Sequence, residues 1–309
     1  MNMEKLPLVI INSPTATGKT QLAVNLALEF GGEIISADSM QVYRYLDIGT
    51  AKPTMKERSG IKHHMIDVVN PDEEFNAALF AEKARTVIAE LAGKGKPAFV
   101  VGGTGLYVRA LLRGIIDTPD VDENIRNHYR ALRETHGKKY LYDMLLQRDA
   151  AAAAQINPND SVRVIRALEV QEQTGESITV KQKKHSFADC PYSTYKIGIQ
   201  VERNELKQRI ELRTERMIEH GLLDEVKKVL AMGYSDKQKS LQSLGYKHFI
   251  GFLNKKYGWN EAIHLIKRDT WQYARRQMTW FNADKEINWF DQNSLGEIKN
   301  MLENCWKKE

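Results

Sequence analysis

Short apolar runs alternate with segments of helical spacing in the first 105 residues, and the strand pattern returns near residue 195. Each run ends in polar residues or glycines, as expected where a buried strand reaches the edge of a sheet. Five runs predict strands: LPLVIINS (6–13), EIISADS (33–39), HHMIDVVNP (63–71), PAFVVGGTG (97–105) and YKIGIQV (195–201). Two segments between them, KTQLAVNLALEF (19–30) and NAALFAEKARTVIAELAGKG (76–95), carry apolar residues three and four positions apart. The alternation predicts an α/β fold, with a parallel sheet flanked by helices on both faces.

The pattern changes after about residue 117. Residues 121–184 are charged, have helical spacing and contain no convincing strand. Beyond residue 204 the chain is again mostly helical, with a short apolar run, INWF (287–290), near its end. We therefore expect a catalytic core made of residues 1–118 and 186–309, a helical insertion domain at 119–185 and a helical C-terminal region.

The turn between the first predicted strand and the first predicted helix reads SPTATGKT (13–20). It matches the phosphate-binding pattern GxxxxGK[ST] except at the first position, where Ser13 replaces glycine. Lys19 would neutralise phosphate charge and Thr20 would bind Mg²⁺. The phosphate itself would be surrounded by the backbone N–H groups of Thr15, Ala16, Thr17, Gly18, Lys19 and Thr20. The core is thus predicted to be a P-loop domain, strained at Ser13 if that position needs a positive φ.

The predicted strand ends carry a carboxylate in an unusual place. P-loop NTPases hold Mg²⁺ for phosphoryl transfer with an aspartate after a buried strand, but PAFVVGGTG ends in glycines and Thr104. The carboxylate is Asp38, after EIISA. Because ligands bind outside the carboxyl ends of parallel strands, Asp38 and Thr104 should lie close to the loop. This pattern argues against a hydrolysing motor, and it leaves open small kinases and enzymes whose leaving group is a diphosphate.

Composition narrows the class of protein without identifying a partner. The 309 residues are 42% hydrophobic and 28% charged, as in ordinary globular proteins. Two cysteines, Cys190 and Cys305, are too few for a disulfide framework, and adjacent His63 and His64 would point to opposite faces of a strand, so no zinc site is expected. No run approaches the ~20 apolar residues of a membrane span. We expect a cytoplasmic protein with no membrane partner, whose net charge of +5 permits a nucleic-acid partner.

Basic residues recur on two predicted helices. Arg209, Arg213 and Arg216 follow at spacings of four and three and so share one face. They would form either a second phosphate clamp or a solvated face paired with nearby glutamates. The segment KRDTWQYARRQMTWF (267–281) interleaves basic and aromatic residues, which suits an RNA platform or, for the aromatics, a buried core.

Eight segments, in order along the chain, resemble the tRNA dimethylallyltransferases, also called tRNA isopentenyltransferases. They are SPTATGKT (13–20), ADSMQVYRYLDIGTAKP (37–53), HHMIDVVNP (63–71), VGGTGLYVRALL (101–112), RVIRALEVQEQTG (163–175), LKQRIELRTERMIEHGLLDEV (206–226), SLGYKHF (243–249) and TWQYARRQMTWF (270–281). Ser13 departs from the family glycine, and the missing zinc-finger tail suggests the bacterial type. The resemblance implies a prenyltransferase that moves a dimethylallyl group from dimethylallyl diphosphate to N6 of adenosine 37 in the tRNA anticodon loop and releases diphosphate. We expect a monomer that uses Mg²⁺.

The resemblance also implies roles for single residues. Asp38 would accept the proton of the attacking amine, the alternatives being a helix N-cap or an outer ligand of Mg²⁺. Thr104 would hydrogen-bond the amine or the bridging oxygen, while Arg213 and Arg209 would join the loop in holding diphosphate. Contacts to a tRNA whose adenosine is flipped out of its stack would come from Asp38, Ser39, Met40, Gln41, Thr104, Arg126, Arg163, Arg166, Arg275, Arg276 and Gln277. Trp280 and Phe281 are expected in the core.

Three other functions compete with this interpretation. A small-molecule kinase would use ATP at the same loop, and retention of ATP or of dimethylallyl diphosphate with Mg²⁺ would separate the two. An RNA-binding protein with a vestigial loop is disfavoured by intact Lys19, Thr20 and Asp38. A relative that alkylates free AMP is disfavoured by the helical insertion and the basic C-terminal helices.

Overall fold

Six parallel strands form the sheet that carries the loop and the polar turns. The computed structural model describes residues 6–116, 118–185 and 190–306. The strands are β1 (Leu6–Asn12), β2 (Glu33–Ser36), β3 (His63–His64), β4 (Ala98–Gly102), β5 (Tyr192–Gln200) and β6 (Ile287–Asp291). Their order across the sheet is β3-β2-β4-β1-β5-β6, and each neighbouring pair is parallel. The predicted α/β fold is confirmed.

The chain divides into two compact units. The core unit comprises Met1–Leu112 and Cys190–Glu309, and the insertion unit is Arg113–Asp189. The sequence suggested boundaries after residues 118 and 185, and residues 186–189 lie outside the described part of the chain. Within the described residues, no helix is both long and apolar enough to cross a membrane.

Helices and connecting loops make up the described residues outside the sheet. The first four are α1 (Lys19–Phe30), α2 (Met55–Arg58), α3 (Ala77–Gly93) and α4 (Gly105–Arg113). The insertion unit contains α5 (Glu123–Arg148), α6 (Ala150–Ala153), α7 (Ser161–Thr174) and α8 (Ile178–His185). The C-terminal region contains α9 (Arg203–Glu219), α10 (Leu222–Ala231), α11 (Tyr246–Leu253), α12 (Trp259–Asn282) and α13 (Leu295–Trp306).

Apolar periodicity explains how these elements pack. In β1, the four residues from Leu8 to Ile11 are all buried, as expected for a central strand covered on both faces. Leu22 and Leu26, which the sequence places on one side of α1, are buried in a cluster with residues of β1 and α13. In the insertion unit a separate cluster joins α5 and α7, with Leu141 and Leu168 fully buried.

Two elements differ from the sequence prediction. HHMIDVVNP was expected to be a strand throughout, but only His63 and His64 pair with β2. Met65 and Asp67 adopt left-handed φ angles of 63° and 57°, and these break the extended ladder. The apolar run INWF, for which the sequence predicted no element type, belongs to β6 and pairs with β5 at the edge of the sheet.

Candidate active site

The predicted phosphate-binding loop connects the end of β1 to the start of α1. Gly18 has φ of 89°, a left-handed conformation that glycine adopts without steric cost. The hydroxyl of Thr17 donates to Pro14 O at 3.0 Å, and Lys19 Nζ donates to the same oxygen at 3.1 Å. The loop is therefore held in shape by its own side chains at the N-terminal, positive end of a helix.

Ser13 is accommodated without the strain that the sequence suggested. It is not among the residues with positive φ, and it is fully buried. Its Oγ accepts a hydrogen bond from the backbone N–H of Ile199 in β5 at 2.7 Å. The serine thus ties the loop to a neighbouring strand, where a glycine would leave that buried N–H without this partner.

Lys19, Arg213 and Asp38 line one cavity beside the phosphate-binding loop. Burial, together with the neighbouring Arg213, lowers the pKa of Lys19 to about 8, while Asp38 acts in the opposite direction. Burial also lowers the pKa of Arg213, against the effects of Asp38 and Glu57. No side chain in the described part of the chain forms a hydrogen bond or ion pair with the Arg213 guanidinium. The site consequently holds an excess of poorly solvated positive charge, which an anionic ligand would neutralise.

Asp38 and Thr104 meet at the ends of β2 and β4. Asp38 Oδ1 accepts backbone hydrogen bonds from Met40 at 2.8 Å and Gln41 at 3.3 Å, so the aspartate caps a local turn. It is not the helix N-cap that we considered as an alternative, because the next helix begins at Met55. That turn engages only one carboxylate oxygen. Thr104 Oγ1 accepts from the backbone N–H of Ser39 at 3.1 Å, which joins the two turns. The sequence-based expectation that these turns lie together holds in the fold.

Gln277 has a different place from the one expected. It is buried, its Oε1 accepts from Thr15 N–H at 2.9 Å, and its Nε2 donates to Gly103 O at 2.8 Å. Gly103 leaves room for this amide, because a Cβ there would lie 2.1 Å from Gln277 Nε2. Arg275 and Arg276 are exposed, whereas Gln277 is buried and lines a cavity that Lys19 and Asp38 also line.

Other predicted contacts also have internal partners. Gln41 accepts from Ser36 Oγ at 3.0 Å and donates to Ala51 O at 3.2 Å, so both ends of its amide are engaged within the core unit. Arg209 donates to Glu205 at 2.5 Å and to Gln292 at 2.6 Å, and it lines the loop-side cavity together with Gly18 and Lys19. Phe281 is buried as predicted, but Trp280 is only half-buried.

Two cavities meet at Arg213. The loop-side cavity, of about 620 Å³, is lined by the loop and α9, including Gly18, Lys19 and Thr20. The turn-side cavity, of about 310 Å³, is lined by Asp38, Ser39 and Met40 together with residues of α9, α12 and the segment before α11. Arg213, Arg209 and Arg216 all line the loop-side cavity, as their shared helical face predicts. Arg276 lines the turn-side cavity.

Comparison with known proteins identifies the family. The family model described as IPP transferase matches residues 41–284, which is more than half of the chain. The chain belongs to the IPP transferase family. The tRNA dimethylallyltransferase 2 of Syntrophus aciditrophicus (strain SB) is 53% identical to this family member over 278 residues, or 90% of this chain and 89% of that protein. The tRNA dimethylallyltransferase 2 of Geotalea uraniireducens (strain Rf4) is 51% identical over 276 residues, 89% of each chain.

Solved structures agree with the family assignment. The full-length tRNA isopentenylpyrophosphate transferase of Bacillus halodurans has a TM-score of 0.73 and 40% identity, with 98% of both chains covered. A eukaryotic dimethylallyltransferase acting on tRNA has a TM-score of 0.77 and 28% identity, covering 94% of this chain and 75% of the other. The α/β core with a helical insertion is thus an IPP transferase fold.

Three arginines of the insertion unit differ in their surroundings, although the resemblance assigns all of them to tRNA contacts in this IPP transferase. Arg126 and Arg166 both contact the fully buried carboxylate of Glu169, at 2.9 and 3.2 Å. Arg166 also donates to Thr118 Oγ1 at 2.8 Å. Only Arg163 is well exposed, with 64% of its side chain accessible and Asp160 as its ion-pair partner at 3.3 Å. The first two are held by the fold of the unit, a role that helical spacing does not reveal.

The residues at the loop of this IPP transferase fit a Mg²⁺ ion that takes most of its ligands from a diphosphate and water. Thr20 is exposed and lines the loop-side cavity, so its hydroxyl is available. Among the described residues, no group of three or more histidines, cysteines or carboxylates could form an all-protein site.

Tyr273 is a further residue of the site, and the sequence motifs do not mark it in its own right. Burial raises the pKa of its hydroxyl to about 12, Asp38 adds to this effect, and hydrogen bonds with Thr104 and Gln277 oppose it. Tyr273 also lines the turn-side cavity. Its position four residues before Gln277 on α12 was the available signal, because residues at that spacing share a helix face.

Proposed function

We propose that this IPP transferase family member transfers a dimethylallyl group from dimethylallyl diphosphate to N6 of adenosine 37 in the anticodon loop of tRNA. The observation that carries the proposal is the pair of half-buried cations, Lys19 and Arg213, which line one cavity together with the carboxylate of Asp38. The names of the relatives, and the large share of each chain that matches, support a dimethylallyl donor and a tRNA acceptor.

On the donor side, the loop would bind the diphosphate as a leaving group. Backbone N–H groups from Ala16 to Thr20, the α1 dipole, Lys19 and Arg213 would stabilise the negative charge that develops on the bridging oxygen. Bound Mg²⁺, with Thr20 as its protein ligand, would neutralise further charge on the diphosphate. Arg209 would act at the outer edge of the loop-side cavity, since it is already paired with Glu205.

On the acceptor side, the turn-side cavity would receive an extruded adenine. The bond between the allylic carbon and the diphosphate oxygen breaks as the N6 nitrogen forms its bond to that carbon. Asp38 takes the N6 proton through the oxygen that the local turn leaves unengaged, and diphosphate departs with the electron pair of the broken bond. Thr104 would orient the amine, because its hydroxyl is fixed by Ser39 N–H.

RNA contacts would come from exposed groups. Ser39, Met40 and Arg276 line the turn-side cavity, and Arg275 and Arg163 are exposed. Gln41 and Gln277 would shape the site rather than read the RNA. Phosphate contacts of this type release counterions, so affinity should fall with added salt.

The deciding experiment is mass analysis of nucleosides from bulk tRNA incubated with the enzyme, Mg²⁺ and dimethylallyl diphosphate. We expect adenosine that carries one added isoprenoid unit, only when the donor is present. Transfer of labelled phosphate from ATP to a small acceptor, without prenylated adenosine, would instead support a kinase. The lack of a carboxylate at the end of β4 argues against that alternative.

A further inference from the structure

The segment at residues 47–53 forms part of the wall of both cavities. Asp47, Ile48 and Ala51 line the loop-side cavity. Gly49 and Thr50 line the turn-side cavity. Because one short segment faces both spaces, its position affects the shape of each.

Glu225 of α10 holds this segment through its backbone. Its Oε2 accepts hydrogen bonds from the N–H groups of Asp47 at 3.0 Å and Ile48 at 2.8 Å, and its Oε1 accepts from Gly49 N–H at 3.1 Å. Successive backbone N–H groups that converge in this way form a concavity suited to an anion. Here the anion belongs to the protein, 176 to 178 residues away along the chain.

Tyr246, the first residue of α11, completes the arrangement. Its hydroxyl donates a short hydrogen bond to Glu225 Oε1, and its fully buried ring packs against Gly49. A Cβ on Gly49 would lie 2.3 Å from that ring. Leu244, Gly245 and Lys247, next to Tyr246, line the turn-side cavity. Glu225 therefore joins two walls of this cavity, the 47–53 segment and the start of α11.

A carboxylate is the side chain that this site requires. Four donors, three amides and one hydroxyl, converge on two oxygens, each with two lone pairs. A glutamine would offer one oxygen and would turn an NH₂ group toward backbone N–H groups, leaving donors unpaired. Glu225 does not itself line either cavity among the described residues, so any effect on substrates must pass through the groups that it holds.

We propose that Glu225 is a positioning residue for both substrates of the transfer reaction, acting through the 47–53 segment and the start of α11. The inference rests on the proposed function for the identity of the substrates. A small displacement of the shared wall would misplace the donor and the adenine together, and misplacements of this kind reduce rates by up to on the order of a hundredfold.

The test compares Glu225→Gln, Tyr246→Phe and a matched control, Asp224→Asn, on the same helix. The Asp224 side chain is 81% exposed and pairs only loosely with Lys227, at 3.3 Å. KM for each substrate and kcat would be measured well below the melting temperature of each variant. We expect Glu225→Gln to raise both KM values about tenfold and to lower kcat. Tyr246→Phe keeps the ring and should change the same constants less, and Asp224→Asn should match the wild type.

A lower melting temperature with unchanged KM values in Glu225→Gln and Tyr246→Phe would reduce Glu225 to a stabilising residue and overturn the proposal. An increase confined to one substrate would also overturn it. If the wild-type enzyme transfers nothing, the proposed function fails, but the inference is still tested by direct titrations. In these, Glu225→Gln must weaken the binding of both inorganic diphosphate and an anticodon stem-loop. Should Glu225→Gln not fold, Tyr246→Phe supplies the same comparison.

Discussion

The side-chain oxygen of Gln277 accepts a hydrogen bond from the backbone N–H of Thr15 at 2.9 Å. The nitrogen of the same amide donates to Gly103 O at 2.8 Å. One buried side chain on α12 thus connects the phosphate-binding loop with the turn that carries Thr104. Its oxygen also accepts from Thr15 N–H, the first of the backbone N–H groups that the sequence assigned to phosphate binding.

Replacing Gln277 should uncouple these two parts of the site. Gln277→Leu leaves Thr15 N–H and Gly103 O without their partner, and each unpaired buried group costs about 1–3 kcal/mol. We expect a loss of stability and a fall of roughly tenfold to a hundredfold in single-turnover rate. Gln272→Leu, at an exposed position of the same helix, is the control. A single-turnover rate equal to that of the wild type would contradict the coupling.

Donor binding should depend on pH through Lys19. Its pKa is lowered to about 8 in the free site, and a bound diphosphate favours the charged form. Donor affinity should therefore be constant well below pH 8 and fall as the pH rises through 8 toward the ordinary lysine value. The free protein behaves oppositely, because the cost of burying the protonated amine is fully present below pH 8 and is relieved as the pH rises from about 8 to the unfolded pKa of 10.5. Titration with diphosphate across this range measures the effect, and Lys19→Arg should remove the pH dependence.

The variant Asp38→Asn distinguishes the role of Asp38 as a base from its role in holding the local turn. The asparagine oxygen can still accept from Met40 and Gln41 N–H, so the local fold should persist. Loss of the base should lower the rate of transfer by about 10²–10⁴-fold, while tRNA affinity remains near that of the wild type. Single-turnover transfer and stem-loop titration provide the two measurements, with exposed Asp72→Asn as the control. Transfer at the normal rate would show that another group accepts the proton.

Restoring the usual glycine at position 13 should destabilise this chain. Ser13→Gly removes the acceptor of the buried Ile199 N–H and adds backbone entropy to the unfolded state. We expect the free energy of unfolding, measured with urea, to fall by about 1–3 kcal/mol. Ser13→Ala, which removes the hydroxyl without adding a glycine, is the matched comparison and should lose most of the same stability. An unfolding free energy for Ser13→Ala equal to that of the wild type would mean that the hydroxyl contributes nothing.

Arg163 and Arg166 should respond differently to alanine substitution. Arg163→Ala should weaken tRNA binding and reduce its salt dependence by about one counterion, with stability unchanged. Arg166→Ala should destabilise the protein, because it removes a partner of buried Glu169 and the bond to Thr118. Thermal unfolding and salt titrations of tRNA affinity distinguish the two. The assignment fails if Arg163→Ala binds tRNA as the wild type does at every salt concentration.

The sequence alone determined the α/β fold, the loop, and the proximity of Asp38 and Thr104. These follow from local rules, because apolar periodicity defines strands and helices, and parallel strands place their carboxyl ends at one edge. The motifs also indicated the family, since eight segments in fixed order are far more specific than the loop alone.

Only the tertiary structure decided which side chains face a cavity and which hold the fold. Gln277, Gln41, Arg126 and Arg166 have the residue types of RNA contacts, yet partners within the fold engage them. The partners of Gln277 and Arg126 lie 174 and 43 residues away in sequence, whereas those of Gln41 and Arg166 lie 5 and 3 residues away. Glu225 has an ordinary place on an amphipathic helix, and nothing nearby in the chain marks its three bonds to residues 47–49. Periodicity fixes the face on which a residue lies, whereas its hydrogen-bond partner depends on which segments the fold brings together.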